Sequence, residues 1–335
     1  MIPRSLQRRQ PASWQTLLSQ CITDVELMWR TLELPRSLLP QAHRAARQFR
    51  LRVPAGFVQR MRRGDPADPL LRQVLPLGEE LVIAPGYTSD PLQELDAMPV
   101  PGLLHKYPGR VLLTLTGACA VNCRYCFRRH YPYSEANPSR EHWPATLDYL
   151  ARRKQIREVI LSGGDPLTLT DTRLAGMAKD LSAIPHLTTL RLHSRVPVVL
   201  PERIDEALLE WTSATRLQVV MVIHCNHANE IDASVVNAMQ QLKLAGVTLL
   251  NQSVLLRSIN NDVKSLCMLS HRLLEAGVLP YYLHQLDPVQ GAAHFAIDDT
   301  EAQSLIEKIR AQLPGYLVPR LVREIPGESA KTPLP

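Results

Sequence analysis

The rhythm of apolar residues changes near residue 110. Upstream, Leu17, Leu18, Cys21, Ile22, Val25, Leu27 and Met28 recur at helical intervals and predict helix from Trp14 to Leu34. A second helix is expected from Ser37 to Phe49, then a short one ended by Gly64 and a run of turns. The stretch PVPGLLHKYPGR reads as a linker. From residue 111 onward, short β-branched or apolar runs alternate with amphipathic ones. Strands are predicted at Val111–Thr116, Glu158–Ser162, Thr188–His193, Leu217–His224, Val247–Leu255 and Leu279–Leu286. Helices fall near 141–154, 171–183, 201–211, 232–245, 262–276 and 300–313. Asp171, Asp232 and Thr300 suit N-caps, Pro201 a first helical turn, and Gly246 and Gly277 helix ends. After the first interval the strands start about 30 residues apart, the period of βα units in a parallel sheet. Six such units fit a closed or partly open barrel better than a two-sided sheet, with a doubly wound sheet as the alternative.

In parallel α/β folds, ligands bind beyond the C-terminal ends of the strands. Six predicted strand ends in a row carry chemistry: GACAVNCRYCFRR, SGGDPL, HSR, HCNH, NQS and HQLD. Together they point to one site at one mouth.

Composition narrows the class. Hydrophobic residues make up 45% and charged residues 21%, which supports a large core and excludes a disordered chain. No apolar run approaches the ~18–20 residues of a spanning helix. The N-terminus MIPRSLQRRQPASWQ lacks the apolar run of a signal peptide, so a cytoplasmic protein is expected. The net charge of +6 admits nucleic acid, pockets for anionic cofactors or an acidic partner, with a solvated basic surface ahead of nucleic acid. Six cysteines without an export signal are expected to stay reduced.

Three of the cysteines, Cys119, Cys123 and Cys126, form C-x3-C-x2-C. Three thiolates can hold three irons of a [4Fe–4S] cluster and leave the fourth iron open to a substrate. A Cys3His zinc site with His130 is the alternative. Gly163, Gly164 and Asp165 follow the second strand, where glycines let backbone approach a ligand and Asp165 either caps the turn or accepts from a ligand amine. Ser194 and Arg195 end the third strand, and His224 ends the fourth.

With Tyr125 before the last cysteine, the triplet resembles the radical S-adenosylmethionine (SAM) signature. The order of the cysteine motif, GGD, NQSVLL, PYYLHQLD, GAAHF and AKTPL resembles the lysine 2,3-aminomutase family over about residues 90–335. The resemblance implies a radical-SAM (β/α)6 partial TIM barrel over 101–313. A mostly helical extension would precede it at 1–100, and a segment at 314–335 would fold back over the mouth. It implies a [4Fe–4S] cluster, SAM and pyridoxal 5′-phosphate (PLP), and conversion of L-lysine to β-lysine by 2,3-amino migration.

Site roles follow from the same resemblance. The cysteines would hold the cluster. Gly163, Gly164, Asp165, Ser194, Arg195 and His224 would bind SAM. Lys331 would form the PLP Schiff base, although Glu328, Ser329 and Ala330 replace the family's glycines before it. Lys106, Arg110, Asn251, Gln252 and His284 would surround PLP. Arg128 would clamp the substrate carboxylate, and Asp287 and Glu324 would meet its ammonium, with Glu324 standing where Asp is usual. The nearest subtype is the short one linked to modification of elongation factor P, with a separate ligase attaching the product. A reducing protein is expected to feed the cluster. Any homo-oligomer would form without the cysteine-rich zinc extension of longer members. Two rival classes are a radical aminomutase acting on glutamate and an iron–sulfur or zinc protein that binds nucleic acid.

Overall fold

The computed structural model describes residues 12–133 and 142–334. Its first part holds four short helices: α1 (Trp14–Ser19), α2 (Val25–Leu32), α3 (Leu39–Gln48) and α4 (Ala55–Val58). The helix predicted from Trp14 to Leu34 is therefore two. Between them Ile22 pairs with Val53 through backbone hydrogen bonds of 2.8 and 3.0 Å. Asp24 then restarts the helix by accepting from Leu27 N. Cys21 is buried at this break, its Sγ 3.5 Å from Ala120 O in the cysteine-bearing loop.

Nine strands form one sheet whose spatial order is the chain order. They are β1 (Leu103–Tyr107), β2 (Arg110–Thr114), β3 (Glu158–Ser162), β4 (Thr189–Ser194), β5 (Gln218–His224), β6 (Thr248–Val254), β7 (Leu279–His284), β8 (Arg320–Arg323) and β9 (Thr332–Pro333). Strands β2 to β8 are parallel, and β1 and β9 add antiparallel at the two ends. Helices α5 (Trp143–Ala151), α6 (Asp171–Ser182), α7 (Val196–Val199), α8 (Glu206–Ala214), α9 (Ala233–Leu244), α10 (Val263–Glu275) and α11 (Asp299–Arg310) fill the crossovers. Among the described residues no ladder joins β9 to β1, so the barrel stays open along one seam.

The six predicted strands are β2 to β7, and β1, β8 and β9 are additions. The supposed linker PVPGLLHKYPGR is mostly the β1–β2 hairpin, in which Tyr107 pairs with Arg110. The capping of two helices also differs from expectation. Thr170 stands at the N-cap of α6 with Asp171 in its first turn, and Asp298, not Thr300, caps α11 by accepting from Glu301 N. The helix expected from 201 is a single 3-10 turn at Pro201–Arg203, followed by α8 under Asp205. Gly246 and Gly277 end α9 and α10 at φ +82° and +78°, which favours glycine.

The amino-terminal helices pack into the barrel's own core. Trp14, Met28, Trp29 and Phe57 belong to one apolar cluster with Leu113, Leu161, Leu192 and Met221 of the strands. A smaller cluster of Tyr125, Leu256, Leu286 and Phe295 lies under the cysteine loop. Among the described residues no helix is long and apolar enough to cross a membrane.

Candidate active site

A chamber of about 500 Å³ opens at the C-terminal strand ends and contains both the cysteine loop and Lys331. That volume is ordinary for a small-molecule site.

The loop after β2 is fixed from behind. Arg124 N donates to Gln73 O (2.9 Å), Asn122 N to Arg52 O (2.9 Å) and Cys126 N to Cys123 O (3.0 Å). The guanidinium groups of Arg124 and Arg129 share the buried carboxylate of Glu80, and each stacks on Phe49. Arg128 is also paired with a carboxylate, so all three arginines of this loop are internal charges. All three triplet thiols line the chamber. They are half-buried. Burial, then mutual repulsion, pushes the Cys126 thiol up to about 11 and raises Cys119 well above its ordinary value. A donor set that resists bearing negative charge alone suits a group bringing its own cations. Among the described residues no three His, Cys, Asp or Glu side chains converge on a single ion. His130 lines a separate, smaller pocket and lies 3.2 Å from Gln290 O. The geometry therefore does not offer the Cys3His zinc site, whereas a cluster gives each thiolate its own iron.

Behind the loop, Asp165 organises two strand ends. Its Oδ1 accepts from Ser194 Oγ (2.7 Å) and Leu167 N (3.0 Å), and its Oδ2 from Arg195 N (2.7 Å) and Val196 N (3.2 Å). Burial still pushes its carboxyl up to about 6. With its acceptor capacity taken, Asp165 caps the turn and has no lone pair left for a ligand amine. The glycines before it also have a reason within the protein itself. A Cβ on Gly163, at φ +122°, would lie 2.7 Å from Thr116 O, and one on Gly164 2.3 Å from Ala118 O. The cysteine loop by itself requires glycine at both positions, and both also line the chamber. Gly164→Ala is expected to lower stability by about 1–3 kcal/mol, typical of overpacking; thermal melting of the purified protein measures it.

Arg195 is nearly enclosed. Its Nη1 donates to Tyr125 OH (2.7 Å) and Cys123 Sγ (2.8 Å), and its Nη2 to Gln73 Oε1 (2.6 Å) and Glu230 Oε2 (3.1 Å). Its Nε is buried without a partner among the described residues. His193 Nε2 is orphaned in the same way. His224 pairs with Gln252 Nε2, and burial followed by nearby cations pushes it down to about 3. His193 and His284 are likewise held neutral, by burial first.

The other half of the chamber lies on the barrel seam, where a chain of alternating charges joins the two ends of the sheet. Glu94 grips Arg128 with both oxygens, at 2.6 Å to Nε and 2.9 Å to Nη2. Lys106 on β1 contacts Glu94 (3.2 Å) and Glu324 after β8 (2.8 Å). Glu324 Oε2 then accepts from Lys331 Nζ at 2.7 Å. Burial raises the Glu324 carboxyl, but Lys331 and Lys106 outweigh it and hold it well below the usual range. Arg110 lies over Tyr107, and Lys331 Nζ sits 5.7 Å from the Tyr282 ring. Asp287 faces the same space, and its carboxylate accepts no hydrogen bond from a described residue. Burial, then the Glu324 charge, pushes it up to about 7.

A radical SAM superfamily model matches residues 113–229. The L-lysine 2,3-aminomutase of Escherichia coli is 51% identical over 96% of this chain and 94% of its own. That of Haemophilus influenzae is 48% identical over 99% and 98%, and that of Clostridium subterminale 36% over 96% and 77%.

The chain belongs to the L-lysine 2,3-aminomutase family.

Membership gives the chain its cofactors: a [4Fe–4S] cluster, SAM and PLP. The donors found here fit them. The three thiols suit the cluster, and the Nε of Arg195 and Nε2 of His193, without partners among the described residues, are unspent polar atoms on residues that line the same chamber. Arg110, Lys106 and Lys331 gather cationic nitrogen for a phosphate and an aldehyde. Of the residues read from the family pattern, all but Asn251 line the chamber. Asn251 lies one residue from Gln252 on β6 and so faces the other side of the sheet. There it bonds Cys225 N and O and Ser253 Oγ.

Glu94, Gln73, Glu230 and His193 were not singled out as site residues from the sequence. Glu94 matters most, because it orients the guanidinium of Arg128, whose Nη1 also donates to Ser162 Oγ (3.2 Å) and Gly163 O (3.4 Å) and whose second Nη2 hydrogen is left for a ligand. Glu94→Gln is expected to raise KM for the carboxylate-bearing substrate about tenfold to a hundredfold, the weight of a charge-assisted hydrogen bond. Initial-rate kinetics should show a much smaller change in kcat.

Proposed function

We propose that the protein converts L-lysine to β-lysine by moving the amino group from Cα to Cβ. Asp287 carries the reading: a half-buried carboxylate with no hydrogen bond from a described residue shares one chamber with Arg128 and Lys331. A substrate with a carboxylate at one end and a cation at the other satisfies both ends. Glutamate would bring its distal carboxylate against Asp287 and Glu324, a like-charge contact in a site of low dielectric.

When bound, the cluster with SAM supplies one-electron hydrogen abstraction, and PLP supplies a carbonyl that takes up amines reversibly and delocalises an unpaired electron. The chain's own residues position and protect. Arg128, set by Glu94, binds the α-carboxylate, and Asp287 binds the ε-ammonium. Lys331 is the covalent anchor, and Glu324 Oε2 at 2.7 Å is the nearest acceptor for a proton leaving Nζ. Arg110, Lys106 and Gln252 meet the PLP pole. Arg195 and His224 meet SAM, and the neutral histidines add no cation against its sulfonium. The enclosed walls exclude water from reactive species.

The test is a substrate panel on the anaerobically reconstituted enzyme. L-Lysine should turn over, while L-norleucine, which lacks the ammonium, and L-glutamate should not. Turnover of glutamate at the lysine rate would overturn the assignment. In the finer reading, β-lysine supplies the modification of elongation factor P through a separate ligase, and the family resemblance to the short subtype supports it. Its test is β-lysyl mass on elongation factor P when this enzyme and a ligase are supplied together, and not when Cys126→Ala replaces the enzyme.

A further inference from the structure

Helix α3 has two unlike faces. Ala42 and Ala45 are fully buried, whereas Arg44 and Arg47 are exposed, and Arg50 continues the exposed row just past the helix end. Positions three apart share a helix face. The helix, LPQAHRAARQ, contains no acidic residue. Among the described residues none of these three arginines has an ion pair or a side-chain hydrogen bond. That sets them apart from Arg124, Arg128, Arg129, Arg195 and Arg203, each paired with a carboxylate.

The position of the row gives it meaning. Arg50 lies on the chamber rim with Gln48 and Phe49. The backbone carrying it is bonded to the cysteine loop: Asn122 Nδ2 donates to Arg50 O at 2.8 Å and Asn122 N to Arg52 O at 2.9 Å. Asn122 directly precedes Cys123. The arginine row thus runs into backbone bonded to the residue before Cys123, and the acidic side chain beside α3, Glu26, pairs with His43 (3.2 Å) and leaves the arginines unpaired.

We infer that this arginine face docks an acidic one-electron donor protein. One electron passes from the reduced donor to the oxidised cluster, which goes from 2+ to 1+ as the donor is oxidised by one electron. No bond forms or breaks. Electron transfer weakens steeply with distance, so a donor must approach near the cluster, and the exposed charge there selects an anionic partner. The inference rests on the cluster and not on lysine as substrate.

Stopped-flow absorbance of the reconstituted enzyme, without lysine, tests it. Reduced flavodoxin serves as the acidic probe and dithionite as a small reductant without a docking requirement. The flavodoxin rate constant should fall with ionic strength, and it should fall about tenfold or more in Arg44→Glu/Arg47→Glu, the scale of electrostatic steering. The dithionite rate should not change. An unchanged flavodoxin rate would overturn the inference. Equal slowing by both reductants would assign the residues to structure and overturn it too. An unchanged flavodoxin rate with salt-sensitive binding of an RNA oligonucleotide would give the face to nucleic acid instead.

Discussion

Lys331→Ala is expected to abolish amino migration and covalent PLP retention while leaving the cluster absorbance in place. The reasons are local. Lys331 is the proposed PLP anchor, and it lies just outside β9, which begins one residue later and docks on β8 through Arg323–Thr332 and Val322–Pro333. The substitution therefore removes the amine and its bond to Glu324 but leaves the backbone pairing of the tail. Borohydride reduction followed by gel filtration should leave PLP bound to the wild type and none to the variant. Turnover should fall to background, since no other lysine lines the chamber except Lys106, held between two carboxylates. Covalent PLP retained by Lys331→Ala would place the anchor elsewhere and undo the assignment of this pole.

Asp287→Asn should cost on the order of a hundredfold or more in kcat/KM for lysine, the scale of truncating one partner of a buried charge pair. The effect should carry a pH signature. Burial, then the Glu324 charge, pushes Asp287 up to about 7. The acidic form is neutral, so recognition of the ammonium is present above that pH and lost as pH falls through it. Wild-type kcat/KM should decline on the acid side of about 7, and Asp287→Asn should lack that limb. An acid limb that survives in the variant would trace it to another group.

The sequence carried the repeating part of the fold well. Strands β2 to β7 are runs of β-branched and apolar residues separated by capped helices, so each is a local signal. Strands β1, β8 and β9 are not local signals. HKYPGR looks like a turn because its proline and glycine form the hairpin bend, and RLVR is four residues with charged ends. Their identity as strands comes from partners, Leu113 with Leu103 and Tyr282 with Arg320.

The site divides in the same way. The cysteines and Lys331 announce themselves through spacing and through a chemistry few side chains offer. Asn251 could have been separated from Gln252 by the two-residue alternation of a strand, a signal that was present. Glu94 could not. It lies in a 3-10 turn of an irregular segment, and its partners are 12 and 34 positions away in sequence (106 − 94 and 128 − 94). Gln73 and Glu230, hydrogen bonded to each other and to Arg195, meet only once the amino-terminal segment packs on the barrel. The glycines of the GGD turn carry a further reason that the sequence did not show: their backbone is crowded by the cysteine loop.

The central claim is that one chamber joins the cluster pole to the PLP pole around lysine. Its most direct test is anaerobic incubation of L-lysine with the reconstituted enzyme, SAM, PLP and reductant, with product read by NMR and mass spectrometry. The structure predicts β-lysine from the wild type and none from Cys126→Ala or Lys331→Ala. Unchanged L-lysine, from an enzyme shown to hold cluster and PLP, would contradict it.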